Sequence, residues 1–373
     1  MEPKLKLIDH FLLRQSADVV QIRAQQKTLL LRGALVRQLL PHVIALLDGS
    51  FTKTEITNQL ASHEQASELI GLFDVLQQKD LVESLTPCPV ALKHLPAGKV
   101  AALSRFFANH SQSAWPTLSG LQQRKVVLCG QAELLIPLAL GLSSLMVGRI
   151  CLVSAPITAL DIAHSRYLSD IDLGLHPAAV VRRQVGLAQQ ADIVAVEQVP
   201  DSVLSWRQLL QQQDLIITAY SKPIIFNSLL SELNQAVLLE GLRWLPLAVI
   251  ENKELQLGPA VIPGQTACYQ CFEYRLRANL SHLEHYDAFA TAFNSLQQLP
   301  DFGVLPPFSE LLANYAVLEA MKLLSDEFAA TTVGKLLTLQ LDTMVGQLHP
   351  VLKIPRCPHC SEFTEPCPER IWG

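Results

Sequence analysis

The chain has 373 residues, 49% of them hydrophobic and 17% charged, with a formal net charge of −5. That length accommodates two or three domains with sizeable cores, and the acid excess offers no general attraction to nucleic acid or to an anionic membrane. The longest apolar run, Leu134 to Gly148, is interrupted by Pro137 and is shorter than the roughly 20 residues of a membrane span, and the Met1-Glu-Pro-Lys-Leu-Lys start has no secretory signal, so a cytoplasmic protein is expected.

From residue 6 to 33 the chain alternates in strand fashion through Leu7–Leu13, Val19–Ile22 and Thr28–Leu31, which predicts three short antiparallel strands. Leu35, Leu39, Leu40, Val43, Ile44 and Leu47 recur at helical spacing up to the turn signal Asp48-Gly49. Thr52-Lys-Thr-Glu55 has the capping-box pattern that opens a second helix, and Leu69, Ile70, Leu72, Phe73, Val75 and Leu76 put an apolar stripe on a third. Residues 1–85 therefore predict a winged-helix-like module. Residues 1–84 carry nine Lys and Arg against ten Asp and Glu, with no basic stripe on the third helix to displace counterions from phosphates, so DNA is a poor partner. Peptide capture uses the same parts better: an edge strand at Leu29, Leu30 and Leu31 would pair with an incoming strand, and Leu69, Leu72, Phe73 and Leu76 would line the adjoining groove. The alternative for each of these side chains is plain core.

Residues 86–99, from Pro87-Cys-Pro89 to Pro96-Ala-Gly98, lack an amphipathic period and predict a linker, with a large domain over 100–373. A short helix through Leu103, Phe106 and Phe107 precedes the strand Val126–Cys129, the turn at Gly130 and a helix from Leu134 to Leu145. Strands follow at Ile150–Val153, Asp192–Val196 and Asp214–Thr218, separated by helical stretches; this alternation predicts an α/β, doubly wound, Rossmann-like sheet. Phosphate binding on the first strand-helix turn needs glycines so that backbone N–H groups can approach. The turn here, Gly130-Gln-Ala-Glu133-Leu-Leu135, keeps one glycine, with Ala132 and Leu135 at the other two positions and a carboxylate at Glu133.

Cys268-Tyr-Gln-Cys271 and Cys357-Pro-His-Cys360, separated by 85 residues, are two thiolate pairs at the spacing of a closed tetrahedral zinc site. Such a site leaves no position for substrate, so the zinc is expected to be structural, with a compact helical subdomain between the pairs. Cys88, Cys129, Cys151 and Cys367 have no paired spacing, and Cys129 and Cys151 fit buried strand positions. His10, His42, His176 and His349 are isolated, without a Ser or Cys partner at fixed spacing, so no catalytic residue is assigned.

The run Pro263-Gly-Gln-Thr-Ala-Cys268-Tyr-Gln-Cys271-Phe-Glu-Tyr-Arg275, with the second Cys-x-x-Cys near the end, resembles the ubiquitin-activating-enzyme superfamily of ThiF-like adenylyltransferases. Within it the chain most resembles the bacteriocin cyclodehydratase C-component, the leader-peptide-binding protein of thiazole/oxazole-modified microcin pathways. The resemblance implies an N-terminal element that binds the leader of a ribosomal precursor peptide. It also implies a superfamily domain that docks a YcaO-type cyclodehydratase, and as further partners a flavin dehydrogenase of the pathway and a second copy of the chain. Adenylating members carry an acid after the second strand, a lysine after an Asp-Ile-Gly-type segment and an aspartate after the fourth strand. This chain has Ser154-Ala-Pro156, Asp172-Leu-Gly174-Leu-His-Pro177 and Thr218-Ala-Tyr-Ser-Lys222 instead, while Arg166 stands near the family's phosphate-contacting arginine but fits a surface residue better. No ATP is therefore expected on this chain. The competing expectations are a working adenylyltransferase that activates a peptide or sulfur-carrier C-terminus, with Cys151 or Cys367 as a reactive thiol, and a winged-helix regulator with a ligand-sensing large domain.

Overall fold

The computed structural model describes residues 2–16, 19–24, 27–85, 87–108, 114–186, 191–220, 228–250, 253–294, 303 and 305–363. The chain separates into two compact units, Met1–Cys88 and Pro89–Gly373.

The first unit contains β1 (Lys4–Leu7), β2 (Phe11–Ser16), β3 (Val19–Ala24), β4 (Lys27–Arg32), α1 (Val36–Leu46), β5 (Asp48–Thr52), α2 (Lys53–Ala61), α3 (Ala66–Gln78) and β6 (Val82–Leu85). The continuous strand expected over Leu7–Leu13 is instead two strands in different sheets. Asp9-His10 breaks the alternation; β1 then pairs antiparallel with β5 and β6, while β2, β3 and β4 form a separate antiparallel sheet. Leu5 and Leu7 alternate into the core and set the register of β1, and the expected turn at Asp48-Gly49 opens β5. The capping box is present: Thr52 Oγ1 accepts the Glu55 N–H at 3.3 Å and Glu55 Oε2 accepts the Thr52 N–H at 2.7 Å. Ile22, Val43, Ile56, Leu69, Phe73 and Leu76, all at most 1% exposed, close one core.

The second unit begins within the expected linker. Val90–Leu92 forms a 3₁₀ turn, and α4 (Ala97–Ala108) starts directly after Pro96, whose fixed φ suits a helix entry. There follow α5 (Ala114–Gln123), β7 (Lys125–Gly130), α6 (Ala132–Ser144), β8 (Arg149–Val153), α7 (Ala159–Ala163), α8 (Pro177–Val185), β9 (Asp192–Val196), α9 (Val203–Leu210), β10 (Leu215–Tyr220), α10 (Ser228–Glu240), β11 (Arg243–Ile250) and β12 (Glu254–Leu257). The chain closes with α11 (Tyr269–Ala278), α12 (Leu283–Asn294), α13 (Pro306–Ser325), β13 (Lys335–Gln340) and β14 (Gly346–Pro350). One eight-stranded sheet runs in the order β14-β13-β12-β11-β10-β7-β8-β9. Its five strands from β11 to β9 are mutually parallel, as the β-α alternation predicts, and β12, β13 and β14 extend it antiparallel.

Polar contacts hold α13 against the sheet and the segment that leads into β13. Arg124 Nε donates to Leu324 O at 3.1 Å and Arg243 donates to Leu323 O, so two cations cap the negative end of the helix. Glu319, 2% exposed, accepts from Thr332 N at 2.5 Å, Thr332 Oγ1 at 2.8 Å and Lys322 Nζ at 2.9 Å. A Cβ on Gly141 of α6 would lie 2.5 Å from Val317 Cγ2, which is how closely α6 and α13 pack. The compact helical subdomain expected between the cysteine pairs is therefore not a separate body. That interval holds most of α11, α12, α13 packed on α6, and the β13–β14 hairpin of the main sheet.

Candidate functional site

Cys268 and Cys271 flank the first turn of α11, and Cys357 and Cys360 lie on the segment after β14; all four are at most 3% exposed. Cys268 and Cys271 Sγ are 3.8 Å apart, Cys268 and Cys357 3.9 Å, and Cys271 and Cys360 3.6 Å, with all four sulfurs within 4.8 Å of one another. A zinc ion with Zn–S bonds of about 2.3 Å places its sulfurs about 3.8 Å apart, so the donor set fits zinc in type, number and spacing. The same distances are far too long for a disulfide. The contact with Cys271 raises the pKa of Cys268 and burial raises that of Cys360, so these sulfurs hold their protons until a cation binds. A divalent cation takes the place of those protons.

The crevice where a nucleotide would sit lies at the carboxyl ends of β7 and β10, because β8 and β9 continue on one side of β7 and β10 and β11 on the other. Its residues are committed to one another. Gly130 approaches β10 so closely that a Cβ would lie 1.9 Å from Ala219 O, and Gln131 N donates to the same oxygen at 3.1 Å. Glu133, 4% exposed, occupies the first turn of α6, so the positive end of that helix already faces a carboxylate. Ser154, at the position after the second strand where adenylating members carry an acid, donates its hydroxyl to Gly130 O at 3.0 Å. Thr218 Oγ1 accepts from Trp244 Nε1 at 2.9 Å, both side chains being at most 1% exposed. Among the described residues, a cavity of about 30 Å³ beside β10 and β11 is bordered by Tyr220, Pro246, Gln256, Tyr269 and Phe272. Ser221 and Lys222 lie outside the described residues.

Arg166 is exposed and pairs with Glu310 Oε1 at 2.8 Å, with its Nη2 donating to Tyr167 Oη at 3.0 Å. Asp172, wholly buried, pairs with Arg183 Nη1 at 2.8 Å, which holds its carboxyl below the usual range. Cys129 and Cys151 are buried in β7 and β8 as expected; burial pushes the Cys129 thiol up to about 12 and raises that of Cys151 as well. Neither has the lowered pKa of a reactive thiol. Cys367 lies outside the described residues.

His176 acts as the N-cap of α8: its Nδ1 accepts the Ala178 N–H at 3.1 Å and its Nε2 donates to Val196 O at 3.3 Å. Burial lowers its pKa, so the folded protein prefers neutral imidazole while the unfolded chain takes up a proton near pH ~6.5. Its share of stability is intact above that pH and falls as pH drops through it. His176→Asn, which caps without titrating, is expected to lose less melting temperature than the parent between pH 7.5 and 5.5; equal losses would mean that another group governs the acid response.

Of the residues expected to form a peptide groove, Leu30 is 45% exposed on β4, which among the described residues pairs only with β3 and leaves one edge open, and Leu29 is half-buried. Leu72 is also half-buried. Leu31, Leu69, Phe73 and Leu76 are buried in the core of the first unit. Sequence inspection missed Asn234 and Arg275 beside the cysteines. Asn234, an amide in the apolar stripe of α10, was the one visible signal.

No protein-family profile and no curated protein matches this chain. Among solved structures, E. coli MccB in complex with MccA-N7isoASN superposes with a TM-score of 0.65 at 15% identity, over 96% of this chain and 99% of that one. E. coli MccB with ATP matches equally well, with a TM-score of 0.65 at 15% identity over 96% and 100% of the two chains. PaaA gives 0.66 at 14% identity over 92% and 99%. MccB is described as a microcin C7 biosynthetic enzyme. The α/β fold expected from sequence, including the unit that precedes the sheet domain, is thus one shared along nearly the whole length of these proteins.

Proposed function

We propose that the protein is a non-catalytic partner subunit that binds the leader of a ribosomal precursor peptide. It would present the core peptide to a YcaO-type ATP-dependent cyclodehydratase that forms azolines from Cys, Ser and Thr. The observation that carries this is the crevice, where Glu133 is buried in the first turn of the helix and Ser154 and Thr218 are hydrogen-bonded to the chain itself. Phosphate oxygens entering there would meet a buried carboxylate in a medium of low dielectric constant, which disfavours the adenylyltransferase alternative. Similarity of fold to MccB, which crystallises with MccA, supports a peptide as the ligand. The open edge of β4 supports strand addition as the mode. Tethering the leader raises the effective concentration of every core residue at the partner's active site, so one recognition event serves many ring closures. A flavin dehydrogenase that oxidises the azolines and a second copy of this chain complete the proposed assembly.

The test is fluorescence anisotropy with a labelled leader segment of a Cys/Ser/Thr-rich ribosomal precursor peptide from the same genome. Binding in the micromolar range is expected, weakened at least ~10-fold by Leu30→Asp, whose charge stands on an exposed position and leaves the core intact. Equal binding by the variant would move the groove away from β4, and failure of the leader to bind would refute the proposal.

A further inference from the structure

The four cysteines are held from outside by groups that are not sulfur. Asn234 of α10 is wholly buried, and its Oδ1 accepts the N–H of Tyr269 at 2.9 Å, fixing the residue that follows Cys268. On the other side, Arg275 lies one helical turn beyond Cys271 and donates from Nε to Leu352 O at 2.7 Å and from Nη2 to Lys353 O at 3.2 Å. Those two residues lead directly into Ile354, whose N–H is directed at Cys271 Sγ at 3.4 Å. Lys353 Nζ reaches back to Gly264 O at 2.6 Å, ahead of the first cysteine pair.

We propose that Asn234 and Arg275 are the positioning residues of the metal centre, which align its two cysteine pairs before an ion binds and slow its release afterwards. The segments that carry the pairs are far apart in sequence, so bringing four sulfurs to bonding distance costs chain entropy unless something else fixes the segments. The planar guanidinium meets two successive carbonyls, which a single ammonium could not do, and thereby aims the Ile354 N–H at a ligand sulfur. An N–H directed at a thiolate lowers its charge density and fixes its orientation, as outer groups do at other metal sites. Asn234 fixes the turn that carries Cys268 and Cys271. Its Oδ1 is spent on Tyr269, and its Nδ2 is buried without a hydrogen-bond partner among the described residues.

This rests on the zinc assignment, and the experiment separates the two. Zinc-loaded full-length protein is mixed with excess 4-(2-pyridylazo)resorcinol at 25 °C and the release rate is recorded; the cobalt-substituted protein gives the thiolate-to-cobalt charge-transfer bands. Arg275→Met is expected to release zinc about 10–100-fold faster and to shift the cobalt bands, and Asn234→Ala to do the same. Arg277→Met, whose guanidinium pairs with Asp287 at 2.7 Å, should release zinc at the parental rate. A merely structural role would lower melting temperature without moving the release rate of folded protein. Parental release and an unshifted cobalt spectrum in Arg275→Met would overturn the proposal. Because Arg275 is half-buried and replaceable on its helix, that result stands even if Asn234→Ala fails to fold. Parental protein that takes up neither zinc nor cobalt would overturn the zinc assignment together with the proposal.

Discussion

Cys357→Ser protein is expected to purify without zinc and to unfold with a second unit less stable by ~3 kcal/mol or more, because binding energy at a structural zinc site is folding energy. Serine has nearly the size of cysteine, so packing changes little and the loss reports the metal. Cys357 is 1% exposed and its Sγ lies 3.9 Å from that of Cys268, so removing it leaves three buried sulfurs that cannot complete a tetrahedron. Those three regain protons, and the segment from Val351 to Cys360 keeps Arg275, the bond from Ile354 and the contact of Tyr274 Oη with His359 Nε2 as ties to α11. Metal content by mass spectrometry and urea unfolding of parent and variant make the comparison. A Cys357→Ser protein with full zinc and an unchanged midpoint would eliminate the site.

This pairing was legible in the sequence because the requirement is local and chemical: a Cys-x-x-Cys turn brings two sulfurs to one ion, and two such turns complete the coordination. The β-α alternation was legible for a similar reason, β7, β8 and β10 being short apolar runs buried on both faces and β9 an apolar, half-buried edge strand. Leu69, Phe73 and Leu76 mark where that kind of inference stops. Helical periodicity shows that these side chains share a face, and core and groove produce the same stripe; in the fold that face closes the core of the first unit. The split of the first strands into two sheets was hidden because Asp9-His10 breaks the pattern too briefly to separate a turn from a change of sheet. Arg124, Arg243, Asn234 and Glu319 were hidden for another reason. Each is a single polar residue whose partner is remote in sequence, and nothing in its own neighbourhood specifies that partner.

Gly130→Ala decides what the one surviving glycine of the strand-helix turn is for. A Cβ there would lie 1.9 Å from Ala219 O and 2.8 Å from Ala219 C, atoms of the neighbouring strand that cannot rotate away, and φ at Gly130 is +152°, a conformation L-residues rarely adopt. β7 and β10 would have to separate at the centre of the sheet, where Gln131 N now donates to Ala219 O at 3.1 Å and Ser154 Oγ to Gly130 O at 3.0 Å. Overpacking combined with backbone strain is expected to cost ~3 kcal/mol or more, read as a lower urea midpoint. Mg-ATP titrated to millimolar concentration is expected to give no heat with the parent protein and to leave its midpoint unchanged, since a ligand that binds only the native state would raise it. If the glycine instead cradled phosphate, the pattern would invert: the parent would be stabilised by Mg-ATP, and Gly130→Ala would fold with the parental midpoint but lose that stabilisation. That inverted result would restore the adenylyltransferase alternative. The expected one assigns the glycine to the close approach of two strands, and leaves a nucleotide fold whose phosphate turn has become part of its own core.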